Sequence, residues 1–408
     1  MASASPEVFD KKTFLDEILK ETEPERLLRI RKKYATHPYC VVESDSWLGY
    51  ALKQSSRIFG YGHYCYSITN IIFDKLDESE RTQVLEHIQD VCKDVPKVWH
   101  ILTDVDDTIQ SSSTGGTNVK YENHTVYPGV VSFYDKIIKT DTDFITLLSA
   151  RPEVLAKGSR KEISEKTHTP VDMLTGQWYD MGPGVICDTI KRKCTYATPS
   201  ILHKVSEVIN HYPTKITHIS GSERTEWYEN YKKMGTTKFE SILKYISIFP
   251  EFKFIFIGDS GQGDLICADK ISREGANFPV KASFIHNILK AREISSHYGI
   301  KDPYTGPIDK MLMIGESLRN KLKERNIYLF NNYIDLAGYT SCLGLLSYRD
   351  LQTVISETIT DFNEDADSKN KSKKSRTYYD TELFISYIEN DLLRAQERWS
   401  KEKDEICK

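Results

Sequence analysis

Residues 99–109 read Trp-His-Ile-Leu-Thr-Asp-Val-Asp-Asp-Thr-Ile, and this stretch decides the fold class. The apolar run Trp99–Leu102 is typical of a strand that is buried on both faces of a parallel sheet. It stops at Asp104, and two further carboxylates follow within three residues. Carboxylates at the end of a buried strand cost stability unless a metal ion or a cationic side chain compensates them. Because clefts of open α/β sheets form beyond the carboxyl ends of the strands, the stretch predicts a site there.

A second apolar segment, Phe252–Gly258, leads into Asp259 and then into Asp264. Two strands of one sheet that each end in a pair of acids could bring four carboxylates to one cleft. Oxygen ligands without His or Cys favour Mg²⁺, which binds through one or two carboxylates and substrate phosphate and keeps several waters. The sequence therefore predicts a Mg²⁺ site whose ligands are the carboxylates of Asp104 and Asp259 and the backbone carbonyl of Asp106.

The alternation of strand-like and helix-like segments predicts an α/β fold with a doubly wound parallel sheet and right-handed crossovers. We divide the chain into a helical N-terminal region at 1–97, a core at 98–290 with a cap or insert at about 153–213, a helical C-terminal region at 291–362, a charged linker at 363–376 and an amphipathic helix at 377–408. The linker is rich in charged residues and serine, and we expect it to be disordered.

The composition, with 39% hydrophobic and 28% charged residues, is that of a soluble globular protein. The net charge of −4 disfavours a nucleic-acid partner. No apolar run reaches the ~18 residues of a membrane-spanning helix, and the first residues do not form a signal peptide. Eight scattered cysteines without a C-x-x-C motif predict reduced thiols and a cytoplasmic location.

The strand-end acids suit the hydrolysis of a phosphate monoester, which is among the slowest reactions in water. Asp104 comes first after its strand, and we expect it to be the nucleophile that forms an aspartyl-phosphate. Asp106 would protonate the leaving oxygen and later deprotonate water, and Mg²⁺ would reduce the repulsion between the anions. Thr108 is expected to hydrogen-bond within the loop, next to the substrate.

Residues further along the chain complete this hypothesis. Ser149 would bind the phosphoryl oxygens through its hydroxyl and N–H groups, although it could also be a simple helix N-cap. Arg151 could reach the substrate or form a surface ion pair, and Ser220-Gly-Ser222 is a rival phosphate loop. Lys238 offers a positive charge near the transferred group, although other lysines lie nearby. Asp264 would orient the metal or Lys238.

At these positions the chain resembles the haloacid dehalogenase superfamily of phosphatases. The family pattern is Asp-x-Asp-x-Thr, then a Ser or Thr that ends the second strand, then a Lys, and then Gly-Asp followed by another Asp. In this chain the pattern corresponds to the stretch 104–108, Ser149, Lys238 and the stretch 258–264. The roles that the resemblance implies for these residues agree with those assigned above.

A closer resemblance is to the catalytic domain of the actin-patch-associated phosphatidate phosphatases, over residues 98–290. The residues that carry it are Asp104–Ile109, Pro128-Gly129 followed by Tyr134, and Ile257–Asp264. It implies a Mg²⁺-dependent enzyme that converts phosphatidic acid into diacylglycerol. The sequence Ser-Ala-Arg-Pro that begins at Ser149 departs from the Ser-Pro-Trp type that is usual in that family.

We therefore expect a phosphorylated substrate, in the first place a lipid. The alternative substrates are a soluble metabolite, a phosphoprotein or a polynucleotide 3′-phosphate. The alternative functions are phosphotransfer and an inactive scaffold of the same fold. The basic residues between Arg26 and Lys33 could make peripheral contact with an anionic membrane or form a solvated helix face. The apolar stripe between Phe384 and Trp399 could bind a partner or a membrane, but docking onto the chain's own domain is preferred.

Overall fold

The computed structural model describes residues 9–36, 39–41, 64–66, 68–111, 126–138, 145–152, 171–176, 224–260, 263–288, 322–371, 392–393, 395–397 and 399. Of these, the backbone alone is described at 36, 39–41, 64–66, 149–152, 171–176, 224–233 and 364–371.

The described residues form the following elements in chain order. They are α1 (Lys11–Leu19), α2 (Pro24–Thr36), β1 (Tyr39–Val41), β2 (Tyr64–Tyr66), α3 (Ile68–Asn70), a π-helix (Ile71–Lys75), α4 (Glu78–Cys92), β3 (Val98–Thr103), α5 (Val130–Ile137), β4 (Ile145–Pro152), β5 (Val171–Gly176), α6 (Arg224–Ile248), β6 (Phe252–Asp259), α7 (Asp264–Arg273), β7 (Val280–His286), β8 (Ile327–Phe330), α8 (Tyr333–Cys342) and α9 (Tyr348–Lys371).

Six strands form one sheet in the order β5-β4-β3-β6-β7-β8. Every pair of neighbouring strands is parallel, so the predicted α/β fold with a parallel sheet is confirmed. The chain runs outward from β3 through β4 to β5 and then returns to the other side of β3 at β6. The strand order therefore reverses between β3 and β6, and such a switch point is where open α/β sheets bind ligands.

Helices cover both faces of the sheet because successive side chains of each strand point to opposite sides. Leu102 of β3 and Phe254 of β6 belong to a core that includes residues of α1, α2, α4, α6 and α7. Their neighbours Ile101 and Ile255 belong to a second core that includes residues of α5, α8 and α9. The N-terminal helices thus pack against the same face of the sheet as α6 and α7.

Local sequence explains where several helices begin. Asp77 and Glu80 form a reciprocal capping box at the start of α4, and Asn332 accepts hydrogen bonds from the first N–H groups of α8. Pro24 is the first residue of α2, a position that suits proline because its N–H would have no helical partner. The first described part of the N-terminal region thus contains two separate helices, α1 and α2.

Three of the predicted boundaries differ from the structure. Strand β8 lies inside the C-terminal region 291–362 that was expected to be helical, and β5 lies inside the segment 153–213 that was expected to be a cap. β8 has only four residues, too few for a clear apolar pattern, and the apolar run of β5 is interrupted by Asp172. Helix α9 continues to Lys371 through much of the linker 363–376, because residues 363–371 contain neither Gly nor Pro to end it.

The described part of the terminal helix packs against the chain's own fold, which is the alternative that the sequence favoured. Ala395 and Trp399 are buried beside α8, and the Trp399 indole N–H donates a hydrogen bond to Asp335 Oδ1 at 3.2 Å. Gly338 leaves room for the indole, because a Cβ at that position would overlap the Trp399 ring. This end of the apolar stripe is therefore not available to a membrane.

Arg31 is fully buried and does not belong to an exposed basic surface. Its guanidinium pairs with Glu251 at 2.7 Å and 3.0 Å, and one of its nitrogens also donates to the Ile248 carbonyl. The pair attaches α2 to the connection between α6 and β6. Arg31 is therefore not part of the basic surface that the sequence predicts between Arg26 and Lys33.

Two further expectations from the sequence can be compared with the structure. Cys92 and Cys267 are free and buried, but Cys342 is disulfide-bonded, so the prediction that every thiol is reduced is wrong at Cys342. Every helix within the described ranges is too short or too polar to span a bilayer.

Candidate active site

The candidate active site lies where β3 and β6 end beside each other. The Asp104 N–H donates to the Ile257 carbonyl of β6 at 2.8 Å, which continues the pairing of the two strands by one residue. Asp259 is the last residue of β6. Both carboxylates are buried, with 3% of Asp104 and 0% of Asp259 exposed to solvent. The register of the two strands thus accounts for the proximity of two acids that are far apart in the sequence.

Lys238 and Asp264 complete a buried charged cluster at this point. Lys238 comes from α6, and its Nζ lies 2.9 Å from Asp104 Oδ1 and also contacts Asp264 Oδ1. Asp264 is the first residue of α7, and its Oδ2 accepts a hydrogen bond from the Asp259 N–H at 3.2 Å. Asp264 thus connects Lys238 to the end of β6, which agrees with the orienting role expected for it.

Three glycines allow this close approach. A Cβ at Gly258 would lie 2.5 Å from Asp264 Oδ2, and a Cβ at Gly235 would lie 2.4 Å from the Gly263 carbonyl oxygen. Gly263 has a positive φ of 89°, which glycine adopts without strain, and it directly precedes α7. Any larger residue at Gly258 or Gly235 would push α7 away from the sheet or from α6, and would therefore separate Asp264 from Lys238.

The cluster carries more negative than positive charge. Asp104, Asp259 and Asp264 have carboxylate oxygens within 4.8 Å of one another. Burial, together with Asp264 and Asp106, raises the pKa of Asp104 to about 8 even though Lys238 opposes the shift. Burial and the neighbouring carboxylates also raise the pKa of Asp259 well above its usual value. The raised pKa values mean that three carboxyl groups do not all ionise readily beside one ammonium group, and a further cation would favour their ionised forms.

Lys238 itself stays charged in this environment. Burial alone would lower the pKa of its ammonium group, but the carboxylates of Asp104, Asp264 and Asp259 outweigh that effect and raise the pKa. An ammonium group held in this way is a fixed positive charge in a site from which water is largely excluded, where it interacts more strongly than in water.

The available donor atoms fit a hard divalent cation. Within the described part of the chain, Asp104 Oδ2 is buried and has no hydrogen-bond partner, while Oδ1 is held by Lys238. Both oxygens of Asp264 already have partners, so Asp104 and Asp259 are the carboxylates best placed to bind a metal. An all-oxygen set of this kind suits Mg²⁺.

The loop after Asp104 differs from the expectation in one respect. Asp106 is half-buried, whereas Thr108 is fully buried and its hydroxyl has no hydrogen-bond partner among the described residues. The hydrogen bond that was expected from the Thr108 side chain within the loop is therefore not formed there. Instead, the Thr108 carbonyl accepts a hydrogen bond from the Tyr333 hydroxyl at 3.0 Å.

Other residues that were not predicted from the sequence also hold this loop. Thr103 Oγ1 donates to the Asp104 carbonyl at 3.0 Å and also contacts the Tyr134 hydroxyl at 2.8 Å. His286 Nδ1 contacts the Asp107 carbonyl oxygen at 2.7 Å. His286 ends the apolar strand β7, so the strand-end rule that identified Asp104 and Asp259 could also have identified it.

Ser149 and Arg151 lie on β4, where only the backbone is described. Leu147 pairs with Thr103, so the backbone of Ser149 is placed just beyond the end of β3, on the side away from β6. Strand β4 continues to Pro152, and the alternative role of Ser149 as a helix N-cap is therefore wrong. The rival loop at 220–222 lies outside the described residues.

Comparisons of the chain with protein-family models, with curated proteins and with solved structures found no match.

Proposed function

We propose that the chain is a Mg²⁺-dependent phosphatase of the haloacid dehalogenase type, which hydrolyses phosphate monoesters through an aspartyl-phosphate on Asp104. The observation that carries this proposal is the environment of the Asp104 carboxylate. One oxygen contacts the ammonium group of Lys238, and the other is buried without a protein partner within the described part of the chain. Such a carboxylate suits nucleophilic attack on a phosphoryl group. The ammonium group fixes one of its oxygens, and the other oxygen has no protein partner among the described residues.

In the first step, an oxygen of Asp104 forms a bond to phosphorus while the bond from phosphorus to the ester oxygen breaks. Asp106 gives its proton to the departing oxygen, so that an alcohol leaves. In the second step, Asp106 takes a proton from water, the water oxygen bonds to phosphorus, and the bond to Asp104 breaks. Inorganic phosphate leaves, and both carboxyl groups return to their starting states.

The remaining residues stabilise charge during these steps. Lys238 neutralises part of the charge on Asp104 and stays close to the oxygens of the transferred group. Asp264 keeps Lys238 in place through its own contact with the ammonium group. The carboxylates of Asp104 and Asp259 and the backbone carbonyl of Asp106 would hold the metal, and bound Mg²⁺ would supply positive charge that offsets the negative charge of the carboxylates and the phosphoryl group.

The different exposure of the two acids agrees with their proposed roles. Asp104 is almost completely buried, which limits access of bulk water to the phosphorylated form. Asp106 is only half-buried, so it can exchange protons with an alcohol and then with water. Ser149 and Arg151 would bind the substrate, since their strand, β4, lies beside β3.

For the substrate we propose phosphatidic acid or a related lipid phosphate, which a peripheral contact with the membrane would deliver to a cytoplasmic enzyme. The support for a lipid is the resemblance at Asp104–Ile109 and Ile257–Asp264, which includes the acids that form the cluster. A nucleic-acid substrate is disfavoured by the net charge of −4.

The test is phosphate release from mixed micelles of phosphatidic acid and from a panel of soluble phosphate monoesters and phosphopeptides, with Mg²⁺ and with EDTA. Faster Mg²⁺-dependent release from the micelles supports the lipid substrate. Release from soluble compounds alone would support a metabolite or phosphoprotein phosphatase and overturn the lipid assignment. Absence of release from every compound would indicate a scaffold without activity and overturn the whole proposal.

A further inference from the structure

His286 is a buried residue that contacts the catalytic loop from a strand that supplies none of the proposed catalytic residues. It ends β7, and only 6% of its surface is exposed. Its Nδ1 lies 2.7 Å from the carbonyl oxygen of Asp107, the residue that directly follows Asp106. Because a carbonyl oxygen can only accept a hydrogen bond, Nδ1 is the donor in this contact.

The imidazole ring is fixed in its orientation by aromatic neighbours. It stacks on Phe330 of β8, with ring centroids 5.0 Å apart and an angle of 14° between the planes. Tyr127 meets it edge to face at 4.7 Å and 84°. The second ring nitrogen lies 3.3 Å from the Asn331 carbonyl, a longer contact than the one to Asp107. The ring therefore has little freedom to turn away from the loop.

Asp107 needs such support because its backbone is in an uncommon conformation. Its φ is +58°, in the left-handed region where residues other than glycine are rare. Its N–H donates to the Gln110 carbonyl at 2.7 Å, and its own carbonyl receives the His286 bond. Two hydrogen bonds thus fix both peptide groups of Asp107, and the first of these peptide groups joins it to Asp106.

We propose that His286 is a positioning residue which, through the Asp107 carbonyl, holds Asp106 in the orientation required to protonate the leaving oxygen. The inference rests on the proposed function, because it concerns the general acid of that reaction. It also gives a role to the C-terminal segment around β8, which supplies no proposed catalytic group but provides the ring against which His286 stacks.

The experiment compares H286N with H286Q. The amide nitrogen of Asn occupies nearly the position of Nδ1 and can still donate to the Asp107 carbonyl, whereas that of Gln replaces the other ring nitrogen and cannot. The constant kcat/KM is measured on short-chain phosphatidic acid, whose leaving alkoxide needs a proton, and on 4-nitrophenyl phosphate, whose leaving phenoxide needs little protonation.

We expect H286Q to lower kcat/KM on phosphatidic acid about 100-fold, the lower end of what general acid catalysis contributes, and kcat/KM on 4-nitrophenyl phosphate no more than about 3-fold. The comparison uses kcat/KM because this constant covers the steps up to departure of the leaving group and not the later hydrolysis of the aspartyl-phosphate, which both substrates share. H286N should keep the wild-type ratio of the two activities, and D106N should show the same selective loss as H286Q.

A structural role alone would lower both activities of H286Q equally, and that result would overturn the inference while leaving the phosphatase assignment intact. If H286Q does not fold, Y127L, which removes the ring beside the imidazole, should show the selective loss in milder form, and an unchanged ratio there would also overturn the inference. A wild-type protein that hydrolyses neither compound would overturn the proposed function, and the inference with it.

Discussion

Nζ of Lys238 lies 2.9 Å from Oδ1 of Asp104, and each residue has no more than 3% of its surface exposed. The ammonium group also contacts Asp264, so one positive charge serves two carboxylates while Asp259 lies close by. A buried cluster with this imbalance is costly without a further cation. It follows that both the activity and the stability of the protein should respond to changes at these residues.

The substitution D104N should abolish phosphate release while leaving the fold intact, because it removes the nucleophile but keeps the shape of the side chain. The raised pKa of Asp104, about 8, means that the folded protein binds a proton here more tightly than the unfolded chain. The metal-free protein therefore becomes less stable as pH rises from about 4 to 8, and D104N should lose less stability over this range.

We expect the free energy of unfolding of the metal-free wild type to fall by more than about 1 kcal/mol relative to D104N between pH 5 and pH 8. Urea unfolding at the two pH values, followed by circular dichroism, measures it. Near-native activity of D104N would contradict the mechanism.

Magnesium should stabilise the protein through Asp104 and Asp259. A ligand that binds only the folded state at 100 times its dissociation constant adds about 2.7 kcal/mol, so the midpoint of thermal unfolding should rise with Mg²⁺ concentration. D259N should abolish this rise, whereas D135N, at an exposed carboxylate that is not part of the cluster, should keep it. An equal response of the two variants would show that the metal binds elsewhere.

Replacing Lys238 by Met should destabilise the metal-free protein by about 3–5 kcal/mol, because two buried carboxylates lose their cation. K244M is a matched control on the same helix, since Lys244 is only half-buried and lies over the Phe73 ring rather than near a carboxylate. K244M should cost less than about 1 kcal/mol. Chemical denaturation of both variants gives the comparison, and similar losses would argue against the charge cluster as the cause.

The buried ion pair between Arg31 and Glu251 should show strong coupling. R31M leaves Glu251 buried without its cation, and we expect a loss of about 3–5 kcal/mol in the free energy of unfolding. The double variant R31M/E251Q should recover most of this loss because it no longer buries a lone charge. A double-mutant cycle in urea measures the coupling, and additive losses would refute it.

His100 predicts a separate dependence of stability on pH. Burial lowers the pKa of His100 from 6.5 to about 3 in the folded state. The unfolded chain therefore binds more protons between these values, and stability falls as pH decreases below 6.5. Relative to H100N, the wild type should lose about 2 kcal/mol between pH 7 and pH 5.

Unfolding of wild type and H100N at both pH values tests this expectation, and parallel curves would contradict it. His100 Nε2 lies 2.8 Å from Thr146 Oγ1, so H100N should also show a small loss that does not depend on pH.

The sequence was sufficient to predict the parallel sheet and the acids at the ends of β3 and β6, because apolar runs that stop at carboxylates are a local signal. The contact between Lys238 and Asp104 could not be derived in the same way, because it depends on how α6 packs against the sheet. Asp264 was expected to orient either the metal or Lys238, and its contact with the Lys238 ammonium group likewise depends on how α7 packs beside α6.

The residues that hold the catalytic loop were harder to predict. Tyr333 donates to Thr108 over 225 positions in the sequence, and His286 contacts Asp107 over 179 positions. Such contacts depend on the spatial order of β7 and β8, and β8 is too short for a clear pattern. The hydrogen bond that was expected from the Thr108 hydroxyl within the loop is absent among the described residues, because the burial of this side chain is caused by packing rather than by local sequence.

The reversal of strand order also affects how the protein is synthesised. β3 pairs with β6 at Val98 and Phe252, so a ribosome must translate past β6 before the second half of the cluster exists. The hydroxyl of Tyr333 and the ring of Phe330 emerge later still. An incomplete chain that ends before β6 therefore lacks Asp259 and Asp264, and products of early termination should not hydrolyse phosphate esters.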